Sequence, residues 1–84
     1  MTTHQLGNIY EGPDNEKFML VASELSDTGK RSKINLINLE TGWLWADPLE
    51  TADIHNTTDA EFTELVGIDE KFKYVGRLKD IIFL

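Results

Sequence analysis

The sequence contains no cysteine, no long apolar run and, across its middle, no basic residue. The absence of cysteine excludes disulfide bonds and thiolate metal sites as sources of stability. No apolar run approaches the roughly 18–20 residues that a transmembrane helix requires, and the N-terminus MTTHQLGN lacks the basic and apolar regions of a signal peptide. These absences predict a cytoplasmic protein that has no membrane partner.

The length of the chain sets the scale of the fold. Its 84 residues are expected to form a single small domain, residues 1–84, that buries only about 60–65% of the surface exposed by the unfolded chain. We expect residues 1–5 to be disordered. Stability should be modest unless self-association adds to it. The apolar C-terminus is the candidate for self-association, as a homodimer or by pairing into the sheet: Ile81, Ile82, Phe83 and Leu84.

Charge is unevenly distributed along the chain, which has a formal net charge of −7. The segment from Ile34 to Glu70 contains no Lys or Arg, whereas the remaining residues carry all eight basic side chains and six acidic ones. Direct nucleic-acid binding is disfavoured because phosphate contacts need clustered cations. A protein partner with a basic surface is favoured instead, although acids also keep a small domain soluble. Nine acids make up this acidic segment: Glu40, Asp47, Glu50, Asp53, Asp59, Glu61, Glu64, Asp69 and Glu70.

Several segments have the composition of β-strands and are separated by turn-forming residues. In the second half, the alternation over Lys71–Val75 indicates a strand, with a bend at Gly76-Arg77. The segment Leu49–Asn56 is polar and aperiodic, and we interpret it as a loop. The strands predicted in the first half are Leu6–Glu11, Lys17–Leu25 and Ser32–Leu39.

A hairpin is predicted around the two tryptophans of the sequence. The loop Glu40-Thr41-Gly42 ends in glycine, which adopts positive φ without steric cost. A three-residue loop would pair Leu39 with Trp43 and Ile37 with Trp45. Both indoles would then lie on one face of the sheet, opposite apolar partners.

One helix is predicted near residues 58–66. Thr58 and Glu61 form a capping box, in which each side chain accepts a hydrogen bond from the backbone of the other residue. An apolar stripe at helical spacing follows, and Gly67 stands where a C-terminal cap belongs. The segments together predict an α+β fold: a small, mostly antiparallel β-sheet or partly open barrel of five or six short strands, with one short helix. The apolar stripe consists of Phe62, Leu65 and Val66.

Motifs of catalysis and cofactor binding are weak or missing. Gly29-Lys30 lacks the leading glycine of a phosphate-binding loop, because Glu24 occupies that position. Asp27-Thr28-Gly29 resembles the triplet that carries the catalytic aspartate of aspartic proteases. Lys30 and Arg31 follow it, however, and a cationic, solvated turn keeps Asp27 an ordinary ionised carboxylate. We predict a protein without enzymatic activity and without a cofactor.

We interpret the chain as a small acidic protein-interaction or regulatory module that binds a basic protein surface. Aromatic rings bordered by acids bind cationic side chains through cation–π and ion-pair contacts. Two alternatives stay open: a nucleic-acid mimic from a phage or mobile element, and a small-ligand or metal site at a subunit interface. A small ligand would use the tryptophan face with Asp47 or His55, and the candidate metal ligands are Asp53, His55 and Asp59. The candidate interaction surface comprises Trp43, Trp45, Asp47, Glu50, Asp53, Asp59, Glu61 and Glu64.

Overall fold

A computed structural model describes residues 3–24, 32–67 and 70–78. The candidate self-association residues Ile81–Leu84 and the triplet Asp27-Thr28-Gly29 lie outside these described residues. The elements are β1 (Thr3–His4), β2 (Asn8–Glu11), β3 (Lys17–Glu24), β4 (Ser32–Asn38), β5 (Leu49–Thr51), β6 (Thr57–Thr58), α1 (Asp59–Val66) and β7 (Lys73–Arg77). Five strands form an antiparallel sheet in the order β5-β4-β3-β2-β7, and two short strands, β1 and β6, form a separate pair.

This arrangement confirms the predicted α+β class. The five-stranded sheet is open, with β5 and β7 at its edges, and is not closed into a barrel. The three strands predicted in the first half correspond to β2, β3 and β4. No helix of the described residues has the length and apolar character needed to cross a membrane.

The core lies between α1 and one face of the sheet. Tyr10 lies opposite Phe18 across β2 and β3, and Leu20 lies opposite Leu36 across β3 and β4. Because side chains alternate along a strand, these even-numbered residues share one face. The helix contributes its predicted apolar stripe, Phe62, Leu65 and Val66, to the same cluster.

The start and the end of α1 are those predicted from the sequence. Thr58 Oγ1 accepts a hydrogen bond from Glu61 N–H at 3.2 Å, and the Thr58 N–H donates to Glu61 Oε1 at 3.1 Å. These two bonds complete the capping box. At the other end, Gly67 has a φ of +94° and its N–H donates to the Thr63 carbonyl at 2.8 Å. The capping prediction is therefore confirmed at both ends.

Two predictions about shorter segments are wrong. Part of the predicted loop Leu49–Asn56 is strand β5, in which Leu49 lies opposite Ile34 and Thr51 is 1% exposed. A strand of three residues is too short to show a detectable alternation of apolar and polar side chains in the sequence. The last strand is β7, Lys73–Arg77, so that Gly76 and Arg77 continue the strand rather than bend it. Nearer the N-terminus, Thr3 and His4 form β1.

Candidate functional site

The hairpin that carries the tryptophans has a different register from the predicted one. The Asn38 N–H donates to the Trp43 carbonyl at 2.8 Å, and Ile37 lies opposite Leu44. Four residues, rather than three, therefore connect Asn38 to Trp43. The segment Trp43–Ala46, which would be the second strand of the predicted hairpin, contains only this isolated bridge. The two predicted pairs that are wrong are Leu39 with Trp43 and Ile37 with Trp45.

The side chain of Asn38 accounts for the extra loop residue. Its Oδ1 accepts hydrogen bonds from the N–H groups of Glu40 at 2.8 Å and Thr41 at 3.1 Å. The Asn38 carbonyl accepts from the Gly42 N–H at 2.8 Å, and Gly42 has a φ of +78°. These local bonds compete with continued strand pairing and end β4 at Asn38, one residue earlier than predicted. A slip of one residue transfers every side chain of the second arm to the other face of the sheet.

Trp45 consequently lies on the core face of the sheet. Its N–H donates to the Leu36 carbonyl at 2.8 Å, and Leu36 is fully buried. The indole meets Phe18 edge to face at a centroid distance of 5.4 Å, and meets Phe72 in the same way at 5.1 Å. Aromatic pairs of this geometry contribute about 0.5–1.5 kcal/mol beyond the area they bury. Trp45 therefore has a structural role at the edge of the core.

Trp43 is exposed, and it forms one wall of an open groove. Its side chain is 78% exposed, whereas Trp45 is only partly exposed. The groove has a volume of about 340 Å³. We call it the Trp groove, and it is lined by Glu16, Phe18, Asn38, Thr41, Trp43, Leu44 and Trp45.

One carboxylate lies in the lining of the Trp groove. Glu16 Oε2 accepts a hydrogen bond from Asn38 Nδ2 at 2.9 Å. Asn38 thus orders the loop through its oxygen and holds Glu16 through its nitrogen. A carboxylate has about four acceptor positions, so this single bond leaves Glu16 able to accept from a ligand. Glu16 is not among the residues predicted from the sequence, because it precedes a different strand and lies outside the acidic segment.

The acidic candidates are mostly exposed, but several are bonded within the chain. Asp53 accepts from the His55 N–H at 3.1 Å and from Asn56 Nδ2 at 3.3 Å. Glu61 belongs to the capping box, and Glu50 lies opposite Lys33 across β4 and β5. The exposed members of the set are Asp47, Glu50, Asp53, Asp59 and Glu64, while Glu61 is partly buried.

Asp59 belongs to a hydrogen-bond network that the sequence analysis did not predict. Asn8 Nδ2 donates to the Tyr10 hydroxyl at 3.0 Å, and that hydroxyl lies 2.7 Å from His4 Nδ1. His4 Nε2 lies 2.5 Å from Asp59 Oδ1. Since the Tyr10 oxygen accepts from Asn8, we assign its proton to a bond donated to Nδ1, which leaves the His4 Nε2–H to donate to Asp59. We call these four residues the His4 network.

The His4 network has the properties of a structural element. Tyr10 is 1% exposed, and burial raises the pKa of its hydroxyl to about 12 despite the opposing effect of the Asn8 hydrogen bond. The His4 ring stacks on Phe62 with a centroid distance of 4.3 Å. A buried phenol with a raised pKa is a poor nucleophile, because it releases its proton only in strongly alkaline solution.

The candidate metal ligands Asp53, His55 and Asp59 do not form one site. Asp53 bonds to its own turn, and Asp59 bonds to His4 rather than to His55. Within residues 3–24, 32–67 and 70–78, no three His, Asp or Glu side chains are grouped so as to hold a metal ion.

Comparison with known proteins identifies no relative. The sequence matches no protein-family model, and neither a curated protein nor a solved structure is detectably similar to the chain.

Proposed function

We propose that the protein is a non-enzymatic interaction module that binds a basic segment of a partner protein and receives a cationic side chain in the Trp groove. The observation that carries the proposal is the exposed Trp43 indole in a groove that also contains the Glu16 carboxylate. A guanidinium or ammonium over an indole gains about 0.5–2 kcal/mol, and a nearby carboxylate adds an ion pair. Tryptophan is also among the residues that most often dominate binding at interfaces.

The charges around the Trp groove favour a cationic occupant. Glu40 and Asp47 are exposed on either side of Trp43 in the sequence, within a segment that has no Lys or Arg. Lys17, which follows Glu16, bonds instead to Glu11 at 2.8 Å. A basic partner would therefore meet acidic side chains around the groove, and such complementarity raises the association rate and the specificity.

Nucleic-acid mimicry is the less favoured alternative. A mimic requires a row of carboxylates that are available to a basic surface. Glu61 is instead partly buried and accepts the Thr58 N–H within the capping box, so it does not belong to an exposed row. The Trp groove, by contrast, presents an aromatic surface that a phosphate mimic does not need.

The proposal is tested with a short arginine-containing peptide and a second peptide in which citrulline replaces arginine. Citrulline keeps the shape of the side chain and removes its charge. We expect a saturable change in tryptophan fluorescence with the arginine peptide, weakened by added salt, and little change with the citrulline peptide. Equal binding of the two peptides would contradict a cation site.

Three variants localise the binding. Trp43→Ala removes the exposed indole and should weaken binding of the arginine peptide about tenfold or more. Glu16→Gln keeps an oxygen for the Asn38 bond but removes the charge, so it should also weaken binding. Glu50→Gln is the matched control, because it removes one acid outside the groove. The proposal fails when Glu16→Gln and Glu50→Gln have the same effect.

Capture from a lysate then identifies the partner. The wild-type chain and the Trp43→Ala variant are used as paired baits, so that nonspecific binding to the acidic surface is common to both. A basic protein retained only by the wild type is the expected result. A variant in which Glu61 is replaced by a basic residue would not be a suitable bait, because the Glu61 side chain caps α1 and its replacement would disturb the helix.

A further inference from the structure

A second concavity lies beside the His4 network and outside the acidic segment. It has a volume of about 330 Å³, and much of its lining is apolar. One strongly basic side chain, that of Arg77, lines it. We call it the Arg77 pocket, and its lining residues are Thr3, His4, Gln5, Asn8, Tyr74 and Arg77.

A β-bulge in the pairing of β2 with β7 places two of these residues together. Tyr74 lies opposite Tyr10 and Arg77 lies opposite Asn8. Tyr74 and Arg77 are three positions apart along β7, whereas Tyr10 and Asn8 are only two positions apart along β2. Without the irregularity, residues at a spacing of three would point to opposite faces of the sheet. Gly76 has a φ of +152° within this stretch, a conformation that glycine adopts far more readily than other residues.

The guanidinium of Arg77 is only partly satisfied by the described chain. Arg77 Nη2 donates to the Leu6 carbonyl at 3.2 Å. Its Nε is buried and has no hydrogen-bond partner among the residues that the structure describes. Among the described residues, Arg77 also makes no ion pair with a carboxylate. A partly buried cation without an opposite charge is costly, and an anion in the pocket would reduce that cost.

Other side chains of the pocket complement an anion with a small apolar body. Gln5 and Tyr74 both carry donor groups, and Tyr74 is 52% exposed. His4 is held by Tyr10 and Asp59, so both of its ring nitrogens are already bonded and its ring offers mainly apolar surface. Pockets that bind small ligands usually combine such an apolar lining with a few polar groups.

We propose that the Arg77 pocket binds a small organic anion, whose carboxylate or phosphate oxygens accept hydrogen bonds from the Arg77 guanidinium. The fork of the guanidinium matches the two oxygens of either group. The apolar part of the ligand lies against Tyr74 and the His4 ring. This site is separate from the Trp groove, so each can bind its ligand when the other does not.

The test uses benzoate, phenyl phosphate and the neutral benzamide as probes. Each is titrated into the isotopically labelled full chain, and the backbone amide signals of Gln5, Asn8 and Arg77 are followed by NMR. We expect saturable shifts with at least one of the two anions and not with benzamide. The anion that binds more tightly identifies the preferred group. Absence of saturable shifts with both anions, or equal binding of benzamide, overturns the proposal.

A matched pair of variants establishes the role of the guanidinium. Arg77→Gln removes the charge and should weaken anion binding about tenfold or more. Lys73→Gln removes an exposed cation from the same strand and should leave binding unchanged. Arg77→Lys keeps the charge without the planar fork, and intermediate binding is expected because an ammonium cannot bond in the same two-point geometry. Equal binding by Arg77→Gln and Lys73→Gln, with both spectra showing a folded chain, contradicts the assignment.

Discussion

His4 and Asp59 lie 55 residues apart in the sequence, yet His4 Nε2 is 2.5 Å from Asp59 Oδ1. The contact joins β1 to the first residue of α1. β1 also pairs with β6, which leads directly into the helix, with Thr3 opposite Thr58. The Asp59 charge lies at the positive end of the helix dipole, where it is favourable. The N-terminal strand therefore supports the start of α1.

Replacement of His4 is expected to destabilise the fold. His4→Ala removes the hydrogen bonds to Asp59 and Tyr10 and the stacked contact with Phe62. Leaving the Tyr10 hydroxyl without its acceptor adds to the loss, and we expect the free energy of unfolding to fall by about 2–3 kcal/mol. Urea unfolding followed by circular dichroism measures this change.

His55→Ala is the control for that measurement. His55 is exposed, and its one described hydrogen bond comes from its backbone N–H, which alanine retains. The free energy of unfolding should therefore change by less than about 0.5 kcal/mol. Similar losses in the two variants would show that the His4 network contributes nothing specific.

The raised pKa of the buried Tyr10 hydroxyl predicts that the protein loses stability in alkaline solution. Burial raises its pKa from 10.0 to about 12, so the unfolded chain releases the phenolic proton at a lower pH than the folded chain. The stabilising contribution is fully present below about pH 10 and is lost as the pH rises through about 12. We expect a total loss of about 2–3 kcal/mol in the free energy of unfolding over this range.

Two tyrosine variants check the assignment of this pH dependence. Tyr10→Phe should remove most of the alkaline loss, although it lowers stability at neutral pH because His4 and Asn8 lose their partner. Tyr74→Phe should leave most of the alkaline loss in place, because burial, the largest cause of the raised pKa of Tyr10, remains in that variant. Tyrosinate absorbance in the folded wild type provides an independent measurement, and ionisation of Tyr10 near pH 10 would contradict the prediction.

The capping box predicts a third stability difference. Thr58→Ala removes the oxygen that accepts from the Glu61 N–H and should lower the free energy of unfolding by about 1 kcal/mol. Thr63→Ala changes an exposed threonine inside the same helix and should be neutral or slightly stabilising, because alanine has the higher helix propensity. Thermal unfolding of the two variants compares these effects. Equal melting temperatures would mean that the cap contributes little.

The structural features that were predicted correctly from the sequence are those that depend on residues close together in the chain. The box formed by Thr58 and Glu61 and the cap at Gly67 involve contacts within three or four positions, and both are confirmed. The predicted hairpin register is wrong because Asn38 can form hydrogen bonds either to a paired strand or to its own loop. The sequence does not indicate which of these two sets of hydrogen bonds is more stable. Strand β5 is not predicted because its three residues are identified by their pairing with residues 32–34 of β4 rather than by an alternation in the sequence.

Parts of both candidate sites depend on contacts between residues distant in the sequence. Glu16 reaches the Trp groove because β3 pairs with β4, which brings Asn38 within 2.9 Å of its carboxylate. Asp59 is a predicted interaction residue, but its partner His4 comes from the N-terminal strand β1. Arg77 and Tyr74 share a face only because of the β-bulge in β7. Such contacts follow from topology, which local composition does not determine.

The two tryptophans should differ sharply in their contribution to stability. Trp45 packs edge to face against Phe18 and Phe72, so Trp45→Ala should lower the free energy of unfolding by about 2–4 kcal/mol. Trp43 is 78% exposed, and Trp43→Ala should change stability by less than about 0.5 kcal/mol. Urea unfolding followed by circular dichroism compares the two without relying on tryptophan fluorescence.

This difference decides how the binding experiments with Trp43→Ala are interpreted. A variant that retains wild-type stability and loses the arginine peptide has lost a contact surface rather than its fold. Trp43→Phe serves as the intermediate control, since a benzene ring binds a cation less strongly than an indole. A large loss of stability in Trp43→Ala would mean that the indole supports the hairpin, because a side chain that only contacts a partner contributes little to the folding of the free chain.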